Sequence, residues 1–486
     1  MDDVAGSLSK NWRRDELESQ DPPMSRDGGS GGDNANPDLI SRLPEEILGS
    51  ILSLLPTTKG AAQTSVLSSG WRHLWRTASA PLNLVIDQGP ISQESKRITI
   101  VSKILAAHSG PARCLFFNQP GGICLRREFY AKFDSWFRSP SLNGLEELYL
   151  YGSDMLPCLL PSSALRFAPT LCIASIGHCD FALINDALAL SFPRLKQLKL
   201  YHVSISEVTL HHLLAGCTML QSLDLRWIRG PSSIRIISPT VRSIGISVCD
   251  YHDEKLVFPE LVIEDAPCLE RLIPHGLRGG PRTIRVIAAP KLAVLGYLSR
   301  LISELVIGTI SVKEMIPIMF TTTVRTVKVL VLQSVGPNLD AIVAVLRCFP
   351  CMEKLYIQSR PRKDMKNVQQ YDTLVDPIEC LDLHLRAIVV NMYQGLGPDV
   401  NFAKFFVLNA KVLKVMKFGV YGSNCNEQWI ADQHRELQLD SRASGDARFD
   451  FVRYNGECTF SNMKHTHDMW IDDPFDSSLC KCCSPV

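Results

Sequence analysis

A six-residue pattern, L-x-x-L-x-L with apolar substitutes, recurs along the chain and constrains its fold more than any other feature. It reads LEELYL (145–150), LCIASI (171–176), LKQLKL (195–200), LQSLDL (220–225), VRSIGI (241–246), LERLIP (269–274) and LAVLGY (292–297). Successive starts lie 26, 24, 25, 21, 28 and 23 residues apart. VKVLVL (327–332), MEKLYI (352–357) and LKVMKF (413–418) continue the series. Each string predicts a short strand whose alternate apolar side chains turn inward. Pro precedes several of them, as in SFPRLKQL and AAPKLAVL, where it ends the previous segment and sets an extended entry. One such unit cannot bury its own apolar face, so neighbours must stack into a curved parallel sheet.

A period of 20–29 residues with this consensus is the leucine-rich-repeat pattern. A doubly wound α/β domain fits less well, because the strand spacing is short and no Gly-rich phosphate loop follows a strand. The segments between strands are only partly helical in pattern. HHLLAGC (211–217) is a helical turn, whereas EDAPCLERL is not.

The pattern changes at Asp38. From there the chain reads DLISRLPEEILGSILSLLPTTKGAAQTSVLSSGWRHLWRTA. Pro44 suits a helix's first turn, and Glu45 and Glu46 suit the positive end of its dipole. Ile47, Leu48, Ile51, Leu52 and Leu55 share one helical face. Pro56 ends that helix, and two more short helices are predicted, the third carrying Trp71, Leu74 and Trp75. So small a unit with so dense an apolar face needs a cover, from this chain or from a partner.

This string resembles the F-box, through Leu43-Pro44, Ile47, Leu48, Ile51, Leu52, Leu55-Pro56, Val66-Leu67-Ser68, Trp71-Arg72 and Leu74-Trp75. The resemblance implies docking onto a Skp-type adaptor, which joins the chain to a cullin complex. Leu43, Pro44, Ile47, Leu48, Ile51, Leu52, Leu55, Trp71, Leu74 and Trp75 are the candidate adaptor-binding residues. Residues 379–420 in turn resemble the FBD region of plant F-box/leucine-rich-repeat proteins, through Cys380, Leu381, Leu385, Tyr393, Gly395, Phe402, Asn409-Ala410 and Leu413. They are expected to form strand, turn, helix (401–409) and strand, packed as the solenoid's terminal cap.

The expected fold is therefore α/β: an N-terminal three-helix F-box followed by an irregular leucine-rich-repeat solenoid with a curved parallel sheet. The expected divisions are a disordered tail (1–37), the F-box (38–80), the solenoid (81–378), the FBD-like region (379–420) and a C-terminal extension (421–486). In a leucine-rich-repeat array the remaining strand positions line the concave side. Here they include Glu147 and Tyr149, Gln197 and Lys199, Ser222 and Asp224, Lys354 and Tyr356. This mixture of both charges and aromatics suits a folded protein or peptide. Tyr149, Lys199, Asp224 and Tyr356 are the candidate substrate-binding residues, with the two tyrosines as anchors. No apolar set for a small-molecule pocket stands out among these positions.

Chemistry is sparse in the sequence. It contains no GxxxxGK[ST] or HExxH motif, so neither an enzyme nor a cofactor is expected. His465, His467, Cys480, Cys482 and Cys483 are spaced poorly for zinc. Lys and Arg (51) nearly balance Asp and Glu (50), which gives no excess charge for nucleic acid. No apolar stretch is long enough to span a membrane. Sixteen scattered cysteines, mostly in apolar strings, favour a reducing compartment, cytoplasm or nucleus. The expected role is substrate recognition in an SCF-type cullin–RING ubiquitin ligase. A leucine-rich-repeat scaffold without ligase function is the alternative.

Overall fold

The computed structural model describes residues 43–55, 63–67, 71, 74, 82–86, 94–108, 111–118, 127–152, 158–182, 190–247, 260–275, 281–299, 302–313, 316–317, 323–333, 338–358, 377–420, 425–453 and 465–476. The expected tail 1–37, Trp75 and the three C-terminal cysteines lie outside the described residues.

Helix α1 (Glu45–Leu54) begins directly after Pro44, whose carbonyl accepts the N–H groups of Ile47 (3.0 Å) and Leu48 (3.1 Å). Pro44 thus caps the helix with extended backbone, one position earlier than its fixed φ suggested. Leu55 returns to extended backbone ahead of Pro56 and ends the helix.

The repeats form one fourteen-stranded sheet whose spatial order is its chain order. Its strands are β1 (Leu82–Ile86), β2 (Ala112–Asn118), β3 (Glu147–Tyr151), β4 (Ile173–Gly177), β5 (Gln197–Tyr201), β6 (Ser222–Arg226) and β7 (Ser243–Ser247). They continue as β8 (Arg271–His275), β9 (Val294–Ser299), β10 (Val329–Gln333), β11 (Lys354–Gln358), β12 (Ala387–Tyr393), β13 (Val415–Val420) and β14 (Arg448–Arg453). Every neighbouring pair is parallel, as stacked right-handed units require.

Register turns the sequence pattern into a core. Leu115, Leu148, Ala174, Leu198, Leu223, Ile244, Leu272, Leu295, Leu330, Leu355, Ile388 and Met416 stand in one row across the sheet. All of them are buried in a single continuous core. Leu272→Ala should cost about 2.7–5 kcal/mol, because neighbouring repeats cannot collapse into the gap. Equilibrium denaturant unfolding of the full chain measures that loss.

The opposite wall of the core varies along the array. Helices α2 (Glu94–Ala107), α3 (Arg127–Phe137) and α4 (Glu207–Gly216) back its first half. Ser206 caps α4 by accepting from Thr209 N–H (3.1 Å). The middle repeats instead carry a second sheet, Ser233–Ile237, Glu260–Asp265, Thr283–Val286 and Glu304–Ile307 in parallel. A hairpin then adds Ile310–Lys313 antiparallel. The strings SIRII, TIRV and ELVI alternate β-branched and polar residues, which favours a half-buried strand over a helix. Their outer face is laced by Arg235–Glu264 (3.2 Å) and Arg285–Glu260 (2.7 Å) pairs. Helix α5 (Leu339–Cys348) then resumes the helical backing.

Residues 379–420 differ in detail from expectation. The segment opens with a short helix, α6 (Glu379–Leu383), followed by β12, helix α7 (Gly397–Asn409) and β13. Helix α7 starts earlier than 401 because Pro398 fits its first turn. Gly395 lies at φ +72°, and an added Cβ would stand 2.6 Å from the Trp429 ring. That explains the Tyr-x-Gly turn, where a side chain would be both strained and crowded. Tyr393 donates its hydroxyl to Gln433 Oε1 (2.7 Å) on helix α8 (Glu427–Glu436). The sheet does not end at 420, since β14 adds a further parallel strand.

Candidate functional site

Helix α1 has two apolar faces. Leu48 and Leu52 turn inward and share a buried cluster with Trp71 and Leu74, with Leu55 packed against it. Ile47, Ile51 and Leu54, spaced i, i+4 and i+7, remain exposed, by 48%, 36% and 79%. Leu43 and Pro44 are exposed as well, as are Val66 and Leu67. The candidate adaptor residues therefore divide. Leu48, Leu52, Leu55, Trp71 and Leu74 hold the small unit together, and Ile47 and Ile51 are free to meet a partner. Leu54 was not singled out in the sequence, and Val66 and Leu67 were named for the F-box resemblance but not as adaptor contacts; the inward and outward stripes of so apolar a helix separate only once Trp71 and Leu74 are placed.

The unit is tied to the array by polar contacts. Asn83 of β1 donates from Nδ2 to the carbonyls of Ser53 (3.2 Å) and Leu55 (3.3 Å). Arg113 donates to Asn83 Oδ1 (3.3 Å) and pairs with Glu147 of β3 (2.9 Å).

On the sheet face turned away from the core, the expected rows are present. Tyr149, Ser175, Lys199 and Asp224 stand in register across β3 to β6. Tyr149 packs beside Phe116 (5.9 Å between centroids) and donates to Glu147 (3.4 Å). Asp224 is fully buried and pairs with Arg226 (2.6 Å). Burial would raise its carboxyl, but Arg226, His467 and Lys199 hold it below the usual range. Burial pushes the Lys199 ammonium down to about 8, helped by Arg226 and opposed by Asp224.

Asp224 and Tyr356 are covered by residues 465–476 of the same chain. His467 Nδ1 bonds Ser222 Oγ, and its Nε2 stands 4.0 Å from Asp224. Thr466 lies fully buried over Gly245, where a Cβ would sit 2.6 Å from Thr466 Oγ1. Arg271 donates to the carbonyls of Asp468 (3.1 Å) and Ile471. Asp473 accepts from Lys354 Nζ (2.9 Å) and Tyr356 Oη (2.8 Å). Its other oxygen accepts from Phe475 N–H (3.0 Å), which turns the chain.

Phe475 fills an apolar socket of Ile273, Val294, Tyr297, Val329 and Val331, with Tyr356 beside it. Apart from Tyr356, these residues lie outside the outward positions named from the sequence. The signal was in the strings VKVLVL and LAVLGY, which are apolar at consecutive positions. A strand apolar on both faces is covered on both. Nothing local in 465–476 revealed its seat, because the contacts that hold it to the sheet join it to residues far away in sequence.

Other chemistry is weak among the described residues. Cys351, Glu379 and His384 could each direct one ligand atom to a common point, all within 4.8 Å. Arg325 already pairs with Glu379 there, placing a fixed cation where a metal would go. Cys380 is buried and its thiol pushed up to about 12 by burial, far from a reactive thiolate. No described helix is long and apolar enough to cross a membrane.

Comparison with known proteins follows the same order along the chain. The F-box domain model matches residues 40–79. The model for the repeats of the FBD-associated F-box protein At5g56370 matches 133–357, and the FBD model matches 375–418. Among Arabidopsis thaliana proteins, F-box/LRR-repeat protein At3g03360 is 31% identical over 248 residues, 48% of each chain. F-box/FBD/LRR-repeat protein At1g13570 is 29% identical over 202 residues, 40% of this chain and 45% of its own length. F-box/FBD/LRR-repeat protein At3g26920 is 26% identical over 451 residues, 88% of this chain and 100% of its own length. The chain thus spans about half the length of two of these relatives and all of the third. In that order along the chain stand an F-box match, leucine-rich repeats of the FBD-associated F-box kind and an FBD match, the domain composition named in its similar Arabidopsis F-box/FBD/LRR-repeat proteins.

Proposed function

We propose that this chain is the substrate-recognition subunit of an SCF-type cullin–RING ubiquitin ligase. The exposed stripe Ile47, Ile51 and Leu54 carries the reading. It is an apolar helix face left over after the unit's own core is filled, and such a face suits a hydrophobic groove on a Skp-type adaptor. The outward face of the array holds a protein substrate. The chain contributes position rather than bond chemistry: substrate held at fixed geometry gains effective concentration toward the ubiquitin carrier. Asn83 and Arg113 support this role, since they join the adaptor-binding unit to the first strands and restrict the angle between them.

Ile47→Glu with Leu54→Glu should lower affinity for a Skp-type adaptor about a hundredfold, the range expected for central apolar anchors. Thermal unfolding should stay nearly unchanged, because both side chains are exposed. Adaptor capture by the double variant at native affinity would move the contact off this stripe, and no capture by the native chain would support a scaffold without ligase function.

A further inference from the structure

We infer that the outward face of β8 to β11 is a linear-peptide site for protein segments carrying a carboxylate two residues before a phenylalanine, and that residues 465–476 are its resident competitor. The inference rests on the reading of the array as the substrate-binding part.

The chemistry is read from the occupant. Asp473 is taken by one ammonium and one phenol, a pair that selects an anionic oxygen. Phe475 fills an apolar socket, its ring 5.4 Å from Tyr297 and 5.7 Å from Tyr356. Gly296 leaves room for the ring, since an added Cβ would stand 2.5 Å from Phe475 Cζ. Arg271 grips the main-chain carbonyls of Asp468 and Ile471, upstream of both anchors, a contact indifferent to the side chains there. Two side-chain anchors two residues apart and one backbone clamp are the parts of a short-motif site. The occupant itself is irregular rather than a strand or long helix, and it adds no strand to the sheet. Being part of the same chain makes it a competitor at a raised effective concentration. An external ligand must therefore match the same contacts or bind more of the face.

The test uses a fluorescein-labelled peptide of the sequence HTHDMWIDDPFD and fluorescence anisotropy. The full native chain should bind it weakly. The full chain carrying Asp473→Ala and Phe475→Ala should bind it at least tenfold tighter, because its own segment no longer competes. Alanine at either anchor of the peptide should remove that gain, as should Lys354→Ala in the chain. A folded double variant that takes up no peptide, or that binds anchor-free peptide equally, would overturn the site. Should the double variant fail to fold, a protease site placed within 454–464 of the native chain gives the second arm. After cleavage the segment should exchange with labelled peptide, and a cut segment that never exchanges would show a permanent part of the fold. The underlying reading fails separately. Peptide exchange with substrate capture indifferent to Lys354→Ala would keep this site and remove substrate from it. Capture that needs Lys354 without any peptide exchange would do the reverse.

Discussion

Gly296→Val will push the C-terminal segment off the sheet. The new Cβ would meet Phe475 Cζ at 2.5 Å, and Tyr297 and Tyr356 flank the ring, so it cannot slide aside. The party that can move is the segment, because Gly296 stands at a register shift whose flanks, Leu295 and Leu298, are paired to the neighbouring strands. Expelling the ring forfeits about 1.5–3 kcal/mol of burial, roughly ten- to a hundredfold in the ratio of seated to free segment. Limited proteolysis with chymotrypsin reads that ratio directly, since cleavage after Phe475 requires the free form. Its rate should rise by the same factor. Thermal unfolding of the array should shift little, because valine is at home in a strand and no core side chain is touched. A cleavage rate equal to that of the native chain would mean the socket is not what holds the segment.

The sequence announced the array and the F-box helix because both rest on local periodicity. Leucines at fixed offsets dictate strands whose inward side chains align, as Leu223, Ile244 and Leu272 do across β6, β7 and β8. What it hid depends on distant partners. The stretch 233–307 has strand propensity, yet it reads as linker beside the stronger leucine signal. Only stacking of four repeats makes its second sheet visible. Ile47 and Leu48 are adjacent and chemically alike, but one is exposed and the other buried because Trp71 and Leu74 occupy one side of the helix. The largest gap concerned the outward face. Tyr356 was correctly placed in an outward register row, but its phenol is already spent on Asp473, more than a hundred residues later in the chain. No period or motif encodes that contact.

The seated segment should also respond to acid, through His467. The groups facing its ring are Asp224, Lys199, Arg226 and Asp468, with Ser222 Oγ on Nδ1. Burial pushes the imidazole down to about 4, against the pull of Asp224 and with help from Lys199 and Arg226. A free segment carries an ordinary histidine, near 6.5. Because the seated form binds the proton less readily, seating is at full strength above about 6.5 and weakens as pH falls toward about 4, roughly tenfold per unit. Neither close charged partner on the sheet changes state in that window. Lys199, at about 8, stays charged throughout, and Asp224, held below the usual carboxylate range, stays ionised. The expected loss between pH 7 and pH 4.5 is thus about a hundredfold in the seated ratio and belongs to one ring. Hydrogen-exchange protection factors across 465–476, corrected for the intrinsic fall of exchange with pH, should drop over that range while far-ultraviolet circular dichroism of the array holds steady. Imidazole resonances give the sharper check: His467 should titrate near 4 in the native chain and near 6.5 in Gly296→Val. His467→Gln keeps a bond to Ser222 within reach but cannot take the proton, so its protection factors should lose their dependence on pH in that window. A native His467 titrating near 6.5 would mean that its ring is solvated and that Ser222 and Asp224 are open to substrate instead.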